Sequence, residues 1–63
     1  MTRILLATGE LLEVEDSFDA VVKALENAAR SSAGTLAQLA ESGTGERVAV
    51  NAAHVVLVRP GDV

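Results

Sequence analysis

Sixty-three residues make one small domain, and a chain this short buries only about 60% of its unfolded surface, so its core is thin. Apolar residues at 49% and charged residues at 22% give the balance of a globule and not of a disordered chain. Nine acids against five bases leave a net charge of −4 with the histidine neutral, which argues against nucleic acid or an anionic membrane as the default partner. Cysteine is absent, so neither a disulfide framework nor a thiolate metal site staples the fold. Apolar runs reach four residues, far below the ~20 that span a bilayer. No charged leader precedes an apolar stretch, and the expected location is cytoplasmic.

The chain starts as a hairpin. Ile4-Leu5-Leu6-Ala7 is a short apolar run, and Thr8-Gly9 supplies a turn in which Gly9 takes positive φ. From Glu10 to Glu15 the residues alternate, with Leu12 and Val14 on one face and Glu13 and Glu15 on the other. Leu11 breaks the pattern and falls on the face of Glu13. A helix follows. Asp16 or Ser17 caps it, Asp19 adds negative charge to the first turn, and Phe18, Val21, Val22, Leu25, Ala28 and Ala29 form an apolar stripe at the helical period. Asp19 with Lys23, and Glu26 with Arg30, are i, i+4 pairs, and Gly34 is the expected left-handed cap.

Thr35 to Ser42 reads both ways. Leu36 and Leu39 are three apart among helix formers, but the stretch is too short to stand alone as a helix, and the glycine turn and strand that follow favour a hairpin. Glu46 to Val50 alternates with Val48 and Val50 inward, Asn51-Ala52-Ala53 turns, and His54 to Val58 is an apolar β-branched run. Arg59-Pro60-Gly61 stops it and leaves a loose tail over 60–63. The expected fold is α+β, in the order β-β-α-β-β, as a small antiparallel sheet with one helix on one face.

The strand, Thr8-Gly9, strand, Asp16-Ser17, helix order resembles the back half of small FlbD-type flagellar proteins. The segment Leu39, Gly45, Val48, Val50, Asn51 and Val55-Val56-Leu57-Val58 resembles the front half, so the halves stand in permuted order. Ala52 occupies the place where that family has proline after asparagine. The same plan resembles small uncharacterised proteins of actinobacteria and their phages, which implies a bacterial or phage source. No functional residue is carried over from either resemblance.

Few residues offer chemistry. His54, the one histidine, lacks the partner ligands of a metal site and the carboxylate and nucleophile of a catalytic one, and reads as a turn-capping or rim residue. The acids are uneven: residues 1–27 hold six acids and two bases (−4), and residues 28–63 hold three of each (zero). Glu10, Glu13, Glu15, Asp16 and Asp19 read as a solvated face and a helix start, with a basic partner or a hard cation as the functional alternative, although no calcium-loop spacing is present. Gly43-Thr44-Gly45 lacks the lysine and following helix of a phosphate loop and reads as a hairpin turn. Arg3, Arg47 and Arg59 suggest a small anion-binding row across neighbouring strands, without the aromatics that nucleic-acid platforms use, and the favoured reading is arginine guarding strand edges against pairing.

The functional expectation is geometric. One helix about 10 Å wide covers one face of a small sheet, yet the outer strands are apolar on both faces. Leu5, Leu11, Val55, Val56, Leu57 and Val58 are therefore the expected interface. Burying about 400 Å² of such surface contributes on the order of 10 kcal/mol gross, before association entropy. The expectation is a non-catalytic interaction or assembly module acting as a homo-oligomer, most simply a dimer packed sheet to sheet or edge to edge, with no cofactor, no metal and no membrane. A foreign protein covering the same face is the competing case. A nucleic-acid regulator lining up Arg3, Arg30, Arg47 and Arg59 on a dimer is the other class.

Overall fold

Gly9 turns the first hairpin. At φ +93° it takes a conformation that side chains disfavour, its N–H donates to the Leu6 carbonyl at 2.9 Å, and the Leu6 N–H donates to the Glu10 carbonyl at 2.9 Å. The computed structural model describes residues 1–31 and 36–61. They form strands β1 (Thr2–Leu6) and β2 (Leu11–Val14), helix α1 (Phe18–Arg30), strands β3 (Ala37–Ala40) and β4 (Arg47–Val50), a 3-10 turn (Ala52–His54) and strand β5 (Val55–Pro60). This is the α+β fold expected, with one strand more. The ambiguous stretch holds β3, and the order is β-β-α-β-β-β.

The strands divide into two antiparallel sheets, β2-β1-β5 and β3-β4. A Val14–Glu41 bridge joins them. The Glu15 N–H donates to the Ala40 carbonyl at 2.8 Å and the Ser42 N–H to the Glu13 carbonyl at 2.9 Å, so the free side of β2 runs onto the end of β3. Asp16 strengthens the joint, its Oδ1 accepting the Ala40 N–H at 2.9 Å. Gly43 at φ +93° turns β3 into β4.

Ile4, Val14, Val21, Leu39 and Val50 make the core, with Leu6, Leu12, Leu25, Val48, Val55 and Val58 packed against it. Thr2 is fully buried among them and donates its hydroxyl to the Asp16 carbonyl at 2.7 Å, which meets the need of a buried polar group. Helix α1 is capped by Ser17, whose side chain accepts the Ala20 N–H at 3.2 Å. The helix lies against β3, the 3-10 turn and β5. Its buried residues are Val21 and Ala28. Phe18 and Ala29, expected in the buried stripe, are exposed, because the face toward the strands centres on Val21, Ala24, Leu25 and Ala28. The helix ends at Ser31, whose N–H bonds the Ala28 carbonyl. The Gly34 cap lies outside the described residues, as do Asp62 and Val63 of the expected tail. Pro60 belongs to β5, and the Gly61 N–H donates to the Met1 carbonyl at 2.9 Å, so the first part of that tail is held.

Candidate interaction face

The sheet β2-β1-β5 has its inner face on the core. Its outer face follows from the register. On β1, Arg3 stands opposite Glu13 of β2 and Arg59 of β5, and Leu5 stands opposite Leu11 and Leu57. Residues directly opposite share a face, and residues two apart on one strand share it too. The outer face therefore carries two rows across the three strands. One is charged, Glu13–Arg3–Arg59, and one is apolar, Leu11–Leu5–Leu57. Together Arg3, Leu5, Leu11, Leu57 and Arg59 line a shallow trough of about 270 Å³.

The apolar row is wet. Leu11 leaves 56% of its surface in solvent and Leu57 37%, while Val56 at the end of the face leaves 61%. Val56 reaches solvent through a bulge. The β1–β5 register slips between Leu5 and Leu6, so that Leu5 pairs with Leu57 and Leu6 with Val55, and Val56 has no partner of its own. Strict alternation would put Val55 with Leu57 and Val56 with Val58. The bulge instead sends Val55 and Val58 toward the core and leaves Val56 and Leu57 outside. Of the six residues expected at an interface, Leu5, Leu11, Val56 and Leu57 are on the outer side of β2-β1-β5 or at its margin, and Val55 and Val58 line its inner side.

The charged row is unbalanced. Arg3 Nε donates to Glu13 Oε2 at 3.1 Å, both side chains being about half exposed. Arg59 sits across the ladder from Arg3, and like charges directly opposite repel. Among the described residues Arg59 makes no ion pair, and the helix pairs Asp19–Lys23 and Glu26–Arg30 do not close to 4.0 Å. Arg47 does not extend the row. It donates to the Gln38 amide oxygen and, with Asp16, lines a separate polar hollow beside β3. Arg30 sits at the end of α1.

No family model, curated protein or solved structure matches this chain. What the chain does is therefore read from its surface.

Other features yield structural roles. His54 closes the 3-10 turn: its N–H bonds the Asn51 carbonyl at 2.9 Å and its own carbonyl accepts the Ala7 N–H at 2.7 Å. Asn51 Oδ1 caps the same turn by accepting the Ala53 N–H at 2.9 Å. The Gly43–Gly45 stretch is a hairpin turn, with the Gly45 N–H on the Glu41 carbonyl at 2.9 Å. Among the described residues no group of three or more His, Asp or Glu side chains could hold a metal ion. Among them, too, no helix is long and apolar enough to cross a membrane.

Proposed function

We propose that this protein is a non-catalytic assembly module that self-associates through the outer face of β2-β1-β5. The observation that carries the reading is the leucine row, contiguous across three strands opposite an already packed core, with Leu5 half-buried at its centre and Leu11 and Leu57 exposed on either side. A monomer of this size gains little by keeping such a row in water. Burying it against a second copy adds the layer that the single helix does not supply. The edges suit this better than strand-to-strand joining. The free side of β2 meets β3. The free side of β5 is broken by the Val56 bulge and ends in Arg59-Pro60, devices that block edge pairing. That leaves β4, of four residues.

A nucleic-acid role has one observation in its favour, the Arg3–Arg59 neighbourhood. Against it stand Glu13 in the same row, the separate position of Arg47, and the net charge of −4. Light scattering across a concentration series tests the main reading. Reversible growth from monomer to dimer supports it, and a monomer at millimolar concentration defeats it. Retention of DNA or RNA at low salt and release at high salt would install the nucleic-acid reading instead.

A further inference from the structure

Resting on the self-association just proposed, we infer that two copies pack face to face about a two-fold axis running along β1, with Glu13 of each copy set against Arg59 of the partner subunit. The two rows of the outer face decide the direction of the axis. A two-fold between facing sheets can run along the strands or across them. Run across them, it keeps the strand order and exchanges levels along each strand. With the axis between the rows, the charged row Glu13–Arg3–Arg59 of one copy lies over the leucine row of the other, which strips water from three charges and offers them only methyl groups; with the axis over the leucine row, each leucine meets its own counterpart, but the two charged rows fall on opposite sides of it and Arg59 gains no carboxylate. Run along β1, it keeps the levels and reverses the strand order. Leu11 then meets Leu57 of the partner subunit, Leu5 meets its own counterpart, and Glu13 meets Arg59 of the partner subunit, twice by symmetry. Aligned sheets cross at about −30°, so the axis bisects the small angle between the two β1 strands.

The charges of the outer face fit this arrangement. Within one copy the row holds one carboxylate and two guanidiniums: Glu13 pairs with Arg3, and among the described residues Arg59 has no ion pair. The second copy brings a carboxylate to Arg59 at the same level of the sheet. The two Arg3 side chains come near the axis, each already holding its own Glu13 at 3.1 Å. The occupant is thus a second copy of this chain, chosen by a match of leucine with leucine and acid with base that follows from the register alone.

Charge reversal tests the axis separately from the face. In Glu13→Arg the facing pairs become Arg against Arg, and in Arg59→Glu they become Glu against Glu. Each variant alone should loosen the dimer at least about ten-fold at low salt, from two exposed pairs turned from attraction to repulsion. An equimolar mixture of the two should associate again to within about three-fold of the parent, because both facing pairs of positions 13 and 59 in the heterodimer are once more opposite in sign. Circular dichroism confirms that each variant is folded. Where a reversal unfolds the chain, Glu13→Gln and Arg59→Gln replace it, and each should weaken the dimer and flatten its salt dependence. Reversals without effect, beside a Leu11→Thr variant that dissociates, would keep the face and overturn the axis. Loss in both single variants without recovery on mixing would overturn it as well. A parent chain that stays monomeric would remove the functional reading and this pairing with it.

Discussion

Leu11→Thr separates association from folding more cleanly than a charge would. Threonine is β-branched and suits a strand, adds no charge, and removes the apolar end of the leucine row. Leu11 leaves 56% of its surface in solvent in the single chain. Burying a whole leucine is worth about 1.5–3 kcal/mol, so covering the remainder contributes about 1 kcal/mol per copy. The proposed dimer would hold two copies, and the variant should weaken it by about 2 kcal/mol, close to 30-fold in dissociation constant. The part of Leu11 already covered within the chain costs the monomer less than about 1 kcal/mol, or a few degrees in melting temperature. Sedimentation equilibrium reads the first number and thermal circular dichroism the second. An unchanged dissociation constant in a folded variant would refute the claim that this leucine is covered on association.

Ile4→Ala empties the centre of the core, since Ile4 is fully buried against Val14 and Val21. Such truncations cost about 2–5 kcal/mol, against a total stability of about 3–9 kcal/mol for a domain of this length. A urea midpoint that does not fall would show that the core lies elsewhere. Asp16→Ala removes the acceptor of the Ala40 N–H and should cost about 1–2 kcal/mol, with faster amide exchange at Ala40, while Asp16→Asn keeps an acceptor and most of the stability. Equal losses in the two variants would argue against that hydrogen bond. Gly9→Ala forces a side chain into φ +93° and should destabilise the hairpin by about 1 kcal/mol in thermal denaturation, although open space surrounds the position. A neutral or stabilising result would mean that the turn adopts another geometry.

The legible parts of the fold are those set by local chemistry. Gly9, Ser17 and the Gly43–Gly45 turn sit where their backbone preferences place them, and the alternation of Leu12 and Val14 against Leu11 and Glu13 survives intact. Strand β3 was ambiguous because Ala37-Gln38-Leu39-Ala40 carries helix formers in a period-two pattern. Pairing of Ala37 with Val50 and Leu39 with Val48 resolves it, burying Leu39 and leaving Leu36 exposed. The helix stripe was displaced at both ends because residues at the right spacing still need strands to cover them. At Phe18 and Ala29 that cover is missing.

The candidate face was half legible. Its residue types were visible, but strand order was not. Nothing in the chain announces that the first and last strands pair, which is what sets Arg59 beside Arg3 and Leu57 beside Leu5. The bulge was hidden for a similar reason. Four consecutive apolar residues from Val55 to Val58 give no alternation to read, so only the ladder with β1 tells which pair faces in.

Methyl chemical shifts followed on dilution report both whether the chain associates and which face does so. The methyl groups of Leu5, Leu11 and Leu57 should move together with concentration along a single binding curve, while those of the fully buried Ile4, Val14 and Val21 stay in place. Shifts that do not change with concentration, or that move at β4 or on the outer side of α1 instead, would contradict the account.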